Sequence, residues 1–299
     1  MKDDRYTFTV FTATYNRAHT LHRVFESLRA QTFRDFEWLV VDDGSSDATQ
    51  AVLEAFRSQQ CFPMRVIRQD HRGKPTAFNR GVQEAKGMMF LPLDSDDACT
   101  PRALELFHQY WESIPHDERK RFSGVAMLCE DQYGKAIGDP FPWEVSDSDV
   151  LELKYVYDLK GEKWICCLTD ILRVFPFPGA HVATFIPESV VYTRIARKYK
   201  IRCVNQVLRI YYRNEPDSIT NQRRIVAPSG KAYAHLERLN CHFDYFRYSP
   251  RKFLLSFVHY VRFCIHGNVS FTNMLLQAHG WWRRVMLLIA FPVAYWFVV

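Results

Sequence analysis

None of the eight cysteines in the 299-residue chain stands in a C-x-x-C pair, and no histidine–cysteine group has zinc spacing. Cys61, Cys99, Cys129, Cys166, Cys167, Cys203, Cys241 and Cys264 therefore read as free thiols of a reducing compartment. There is no G-x-G-x-x-G and no glycine-rich turn ending in Lys-Ser/Thr. Without those phosphate loops, dinucleotide-dependent oxidoreductases and P-loop NTPases are set aside. No internal repeat or low-complexity tract is present, and the composition is neither collagenous nor disordered. Met1-Lys2-Asp3-Asp4-Arg5 runs straight into an alternating segment, so no secretory leader is expected.

What the chain has is 47% hydrophobic residues, enough for one large domain with an appendage. The net charge of +6 conceals a division. Residues 1–187 hold 22 Lys+Arg against 28 Asp+Glu, and residues 188–299 hold 17 against 5. A uniformly basic surface is absent, so no nucleic-acid partner is expected.

The first part alternates between two periods. Thr7–Ala13 reads as a strand, and Thr20–Ala30 as a helix with Leu21, Val24, Phe25 and Leu28 on one face. Phe36–Val41 is a continuous apolar run, the mark of a strand buried on both faces. Asp47–Arg57 (helix), Met64–Arg68 (strand), Thr76–Ala85 (helix) and Met88–Leu93 (strand) follow, and Thr100-Pro101 opens another helix as N-cap and first-turn proline. Such alternation means an α/β fold with a mostly parallel sheet. Gly124–Glu130 is a further strand. Residues 131–187, with five prolines, read as loops over the carboxyl edge of the sheet. Glu188–Lys200 is helical, Ile201–Tyr212 is extended, and from about residue 228 the chain is helical, basic and aromatic.

Three strand ends bear polar chemistry. Thr12-Ala13-Thr14-Tyr15-Asn16-Arg17 follows the first. Asp42-Asp43-Gly44-Ser45-Ser46-Asp47 ends the second and suits either a nucleoside contact or a capped turn. Asp94-Ser95-Asp96-Asp97 ends the fourth. Three carboxylates in four residues after an apolar run call for a counter-charge, and oxygen ligands suit Mg²⁺ or Mn²⁺ beside a phosphate. Between the last two lies Arg72-Gly73-Lys74-Pro75, a basic turn at a helix start that fits a diphosphate or a solvated loop.

These motifs, with Asn79-x-Gly81, resemble in order and spacing the family-2 glycosyltransferases of GT-A fold. The resemblance is strong over residues 6–112 and continues to about residue 220. It implies a Rossmann-like GT-A domain over 1–225, with a nucleotide-sugar half (1–112) and an acceptor half (113–225). It implies a UDP-sugar donor, a divalent metal and inversion at the anomeric carbon. Thr12, Thr14 and Tyr15 would line the nucleoside pocket and Asp43, with Asp42, would meet the base. Lys74 would lie near the base or diphosphate, with Asn79 and Ser95 also at the donor. Asp96 would be the main metal ligand, with Asp94 between ribose and metal. Phe78 stands where relatives often have arginine, so Arg72, Lys74 or Arg80 would supply that contact. The acceptor's base is expected in an acidic pair at a helix start; Pro187-Glu188-Ser189 matches in place with Ser189 for the second acid, which makes Glu188 the candidate and Asp170 the runner-up. Lys163 and Trp164 are acceptor-side candidates. Tyr212 and the 216–220 loop resemble a segment that closes over the donor.

Residues 226–299 form the expected appendage. Trp281-Trp282-Arg283-Arg284 precedes an uncharged stretch, Val285–Val299, that is shorter than the roughly 20 residues of a spanning helix. Paired tryptophans and arginines suit a membrane–water interface, so an interfacial or re-entrant anchor is expected, with a core helix or an oligomer interface as alternatives. The combined expectation is a peripheral enzyme on the cytoplasmic side of the inner membrane. It would move a sugar from a UDP-sugar to a hydroxyl of a glycan, lipid-linked. A nucleotidyltransferase and a non-catalytic nucleotide-sugar binder are the alternatives.

Overall fold

The computed structural model describes residues 6–179, 186–213, 228–241 and 243–296. Its first half is built from short local crossovers: β1 (Tyr6–Thr14), α1 (Leu21–Arg29), β2 (Phe36–Asp42), α2 (Thr49–Ser58), β3 (Met64–Arg68), α3 (Lys74–Glu84) and β4 (Gly87–Pro92). β3, β2, β1 and β4 lie side by side and parallel. All of β2 is buried, as a strand covered on both faces must be. Alternation along β1 sends Phe8 and Val10 to one face with α1, and Phe11 to the other with α3. Thr14 pairs with Asp42, so the two strands end level and their polar loops meet.

The chain continues through β5 (Ala98–Cys99), α4 (Ala103–Glu112), β6 (Phe122–Asp131), β7 (Ala136–Ile137), β8 (Val145–Ser148), α5 (Val150–Tyr155), β9 (Lys163–Leu168), α6 (Thr169–Val174), α7 (Ser189–Ala196) and β10 (Lys200–Tyr211). The sheet order is β3-β2-β1-β4-β9-β6-β10-β5. The expected α/β fold is therefore present.

Residues 131–187 are not simply loops. β9 inserts between β4 and β6, antiparallel to both. Its six residues have no sequence-local partner, so periodicity alone does not reveal them. Thr100 is not a side-chain cap either. Its hydroxyl is buried without a partner, and the Gln31 carbonyl accepts from the Leu104 N–H at 3.1 Å in its place. α3 begins two residues earlier than expected, because Gly73 at φ 86° turns the chain and Pro75 sits in the first turn.

The C-terminal helices are α8 (Pro228–Cys241), α9 (Tyr245–Tyr248), α10 (Pro250–His266), α11 (Phe271–Gln277) and α12 (Trp281–Trp296). They share an apolar core around Phe253, Phe257, Tyr260 and Leu287, which also takes Leu151 and Tyr155 from α5. An Arg194–Glu237 ion pair fastens α7 to α8. No described helix is long and apolar enough to cross a membrane.

Candidate active site

The carboxyl ends of β1, β2 and β4 meet at one edge of the sheet. Asn16, at φ 53°, laces the first two loops: its N–H donates to Ser45 Oγ (2.9 Å) and its side-chain oxygen accepts from Ser46 N–H (2.8 Å). Asp42 caps its own turn by accepting from Ser45 N–H at 2.9 Å. Asp43 is buried and organises the loop that follows β3. Its carboxylate accepts from Gln69 Nε2 (2.7 Å), Arg72 N–H (3.0 Å) and Gly73 N–H (2.8 Å), and pairs with His71 Nδ1 (2.9 Å). Its acceptor positions are thus taken, and a base contact would have to displace the half-exposed His71. Gly44, at φ 83°, permits this close approach, since a Cβ there would crowd the His71 N–H. Tyr15 stacks on the His71 ring, 4.0 Å between centroids at 25°, leaving a flat aromatic platform at the rim.

Beside this platform a chain of alternating charges runs from the start of α7 to β10. Lys74 Nζ lies 2.6 Å from Asp94 Oδ1 and 3.0 Å from Glu188 Oε1. Burial works against the lysine's charge, but the two carboxylates outweigh it and raise its pKa well above the usual range. Arg209 Nη2 lies 2.7 Å from Asp94 Oδ2, and its guanidinium also grips Asp97. Burial pushes the Asp94 carboxyl up, and Lys74 and Arg209 together reverse that and hold it far below its usual value. Burial pushes Asp97 up, with Arg209 opposing. Asp97 also accepts from Tyr212 N–H at 3.0 Å, fixing the end of β10, while the Arg23 guanidinium covers the Tyr212 ring at 4.1 Å.

Glu188 is not a capping acid. It occupies the N-cap position of α7, makes no side-chain cap and points at Lys74 instead. Asp170, the alternative base, lies away from this contact. It lies 79% exposed in the first turn of α6, paired with Arg173, past the end of β9 where Thr169 bonds Gly87 at the start of β4. That is the opposite edge of the sheet.

Three other expected site residues serve the framework. Thr12 is fully buried, donating to Leu93 O (2.9 Å) and accepting from Trp38 Nε1 (3.0 Å). Asn79 grips the backbone of Phe177 twice, at 2.9 Å each way. Trp164 is buried, donating to Pro92 O at 2.6 Å, and does not face an acceptor. Thr14 is buried beside Asp43 with its hydroxyl unpartnered, and Ser95 is buried in the turn after β4. Phe78 packs among Phe11, Phe90 and Phe177, so that position belongs to the core here. Arg80 pairs with Glu84. Lys163 stands at the site edge of the sheet and bonds Lys160 O at 3.1 Å. The 216–220 loop lies outside the described residues.

Arg209 joins this cluster through Asp94 and Asp97, and Glu162 lies at the same edge of the sheet beside Lys163; no motif marks either. Arg209 is a lone cation inside the apolar run Val207–Tyr212, and such a charge is buried only when paired. Glu162 opens onto solvent just before β9. Crowding by protein pushes its carboxyl up, Arg209 opposes, and the negative Glu188 and Asp94 add to the rise.

The donor set fits a divalent cation in one way. Burial and then the Asp94 charge push the Asp96 carboxyl up, against Arg17, and Asp96 has no ion-pair partner among the described residues. A cation would relieve that repulsion. Among the described residues no three acids or imidazoles cluster, so phosphate oxygens would have to complete the shell, as they commonly do for Mg²⁺. Asp94 would first have to loosen its hold on Lys74 or Arg209.

A mostly parallel sheet in the order β3-β2-β1-β4, extended by antiparallel β9 and flanked by helices, is the GT-A class of α/β fold. Residues 9–118 match the family model described as Glycosyl transferase family 2. An uncharacterized glycosyltransferase of Nostoc sp. is 36% identical over 97 residues, covering 32% of this chain and 30% of the relative. The succinoglycan biosynthesis protein ExoO of Rhizobium meliloti is 40% identical over 97 residues, 32% of this chain and 27% of the relative. The match thus spans about a third or less of these relatives' length. S. aureus TarS 1-349 in complex with UDP-GlcNAc shares the fold over 98% of this chain and 81% of that one, with a TM-score of 0.62 at 18% identity.

Proposed function

We propose that the protein is an inverting glycosyltransferase that moves a sugar from a UDP-sugar to a hydroxyl of a glycan. The observation that carries this reading is the Glu188–Lys74–Asp94 contact at the carboxyl edge of the sheet, beside the Tyr15–His71 platform. The base stacks on Tyr15, in place of or against His71. Lys74 holds negative charge at the donor side and positions the Glu188 carboxylate. The Glu188 carboxylate takes the proton of the acceptor hydroxyl as its oxygen bonds to the anomeric carbon. The bond to the diphosphate breaks on the opposite face, and UDP leaves. A divalent cation held by Asp96, with Asp94, would supply charge for the departing diphosphate. The relatives named above, one of them a succinoglycan biosynthesis protein, support a glycan product.

The helical appendage supports an acceptor at a lipid surface. Trp281, Val285, Leu288, Ile289, Val293 and Trp296 are exposed along one face of α12, while Leu287, Ala290 and Ala294 bury the other. Residues 228–299 hold 8 Lys+Arg against 2 Asp+Glu, so an anionic bilayer complements the surface in charge as well. Of the expected anchor residues, Trp281 belongs to this face and Arg284 is exposed beside it. Trp282 packs inward on Phe243 and Phe257, and Arg283 is tied to Leu239 O at 2.6 Å.

The reaction is tested by incubating the chain with a panel of UDP-sugars and Mg²⁺ or Mn²⁺, and following UDP release and anomeric configuration by NMR. Release from one donor with inverted product supports the reading. Tight UDP-sugar binding without release would make the chain a non-catalytic binder, and formation of a nucleotide sugar from sugar phosphate would make it a nucleotidyltransferase.

A further inference from the structure

Lysine, arginine and histidine side chains from three helices gather where α5, α8 and α10 meet. Lys154 lies near the end of α5, His235 and Arg238 lie on α8, and Lys252, His259 and Arg262 lie on α10. The His235 and His259 rings are 5.2 Å apart, tilted by 36°. Arg238 Nη1 stands 3.3 Å from His235 Nδ1, and Lys252 Nζ stands 3.5 Å from Lys154 O. Lys252 has Asp158 as its counter-charge. Among the described residues, Lys154, Arg238 and Arg262 have no carboxylate within 4.0 Å, and Arg262 Nε is buried without a hydrogen-bond partner. Lys154, Arg238, His259 and Arg262 are each only partly buried, so the group is reachable from solvent.

Apart from the Asp158 carboxylate on Lys252, the charges that act on Lys154, His235 and His259 are positive. Burial, then Arg238 and Lys252, push the Lys154 ammonium down to about 8. Burial, then Arg238, His259 and Lys154, push His235 well below its usual value. Like charges drawn together and partly desolvated are unfavourable unless an anion joins them. A multiply charged anion with several oxygens can meet cations arriving from three sides at once.

We propose that the α5–α8–α10 junction binds a phosphate group, carried by an anionic lipid or by free phosphate. Lys154, Arg238 and Lys252 take no part in the Lys74–Asp94–Glu188 contact, and the readout is not turnover, so the proposal survives or fails independently of the transferase reading.

The experiment uses the full chain, wild type, Lys154→Met and Arg238→Gln. Thermal melts compare inorganic phosphate with chloride at equal ionic strength. Phosphate raises the wild-type midpoint, its affinity falls about tenfold or more in each variant, and Lys154→Met melts higher than wild type in chloride because a repulsion is gone. Flotation with phosphatidylcholine vesicles, with and without phosphatidylglycerol, separates the sources. Flotation lost in the variants and competed by phosphate assigns the group to a lipid; flotation unchanged, with the phosphate effect lost, assigns it to free phosphate. An equal phosphate effect in all three proteins overturns the proposal, as does the absence of any phosphate effect with equal flotation. Should one variant fail to fold, the other and His259→Asn decide.

Discussion

Lys74 Nζ lies between Asp94 Oδ1, at 2.6 Å, and Glu188 Oε1, at 3.0 Å, joining the acid that follows β4 to the acid that starts α7. One ammonium therefore sets the separation of these two acids, which the proposed function assigns to the donor and the acceptor. Lys74→Met removes the only charge that faces both carboxylates in this contact, leaving two partly buried anions in repulsion. UDP-sugar affinity should fall about tenfold or more, with Lys74→Arg restoring part of it. Calorimetric titration with UDP checks this, and unchanged affinity in Lys74→Met would remove Lys74 from the donor site.

Asn79 and Gly81 should behave as framework. Asn79→Ala leaves both the N–H and the carbonyl of Phe177 without their partner, a loss of about 1–3 kcal/mol. Gly81→Ala places a Cβ against the Phe11 ring and costs a similar amount, about 1–3 kcal/mol. Denaturant unfolding should show both losses while the affinity for UDP stays near wild type. A donor-affinity loss at unchanged stability would return Asn79 to the site.

The crossovers from β1 to β4 were legible because each strand and helix is specified by its own apolar period and pairs with a near neighbour. The strand-end acids and Lys74 were legible for the same reason, lying in short contiguous loops. β9 was not, since its partners β4 and β6 are brought to it by the whole fold. Nor does a local pattern say which way a side chain faces. Thr12 and Trp164 share segments with site residues yet point into the core, and Asp170 sits at the wrong edge of the sheet. Arg209 reaches Asp94 and Asp97 from β10, and only its isolation in an apolar run hints at that pairing.

The exposed face of α12 gives a prediction about surfaces. Leu288→Asp with Ile289→Asp places two charges on that face while leaving the buried Leu287 and Ala290 intact. Flotation with phosphatidylglycerol-containing vesicles should be lost while the melting midpoint is retained, because exposed substitutions rarely alter stability by more than about 0.5 kcal/mol. Undiminished flotation would place the lipid contact elsewhere.

Lys154 gives a pH dependence. Its folded-state pKa, about 8, lies below the lysine value of 10.5. Between those values the unfolded chain binds the extra proton, so stability contributed by this site rises with pH. The penalty of the charged ammonium is full below about pH 8 and is relieved as pH climbs towards 10.5. Arg238 and Lys252 are the charges that face it. The melting difference between Lys154→Met and wild type should therefore shrink from pH 7 to pH 10. A constant difference would mean that Lys154 does not titrate early.

Proton transfer from the acceptor to Glu188 is tested most directly by the transfer rate of Glu188→Gln and Asp170→Asn beside wild type, with the donor identified by the UDP-sugar panel. The amide cannot accept the proton, so Glu188→Gln should lose about 10²–10⁴-fold in kcat with UDP affinity little changed, and Asp170→Asn should match wild type. Full transfer by Glu188→Gln, or a comparable loss in Asp170→Asn, would contradict the account.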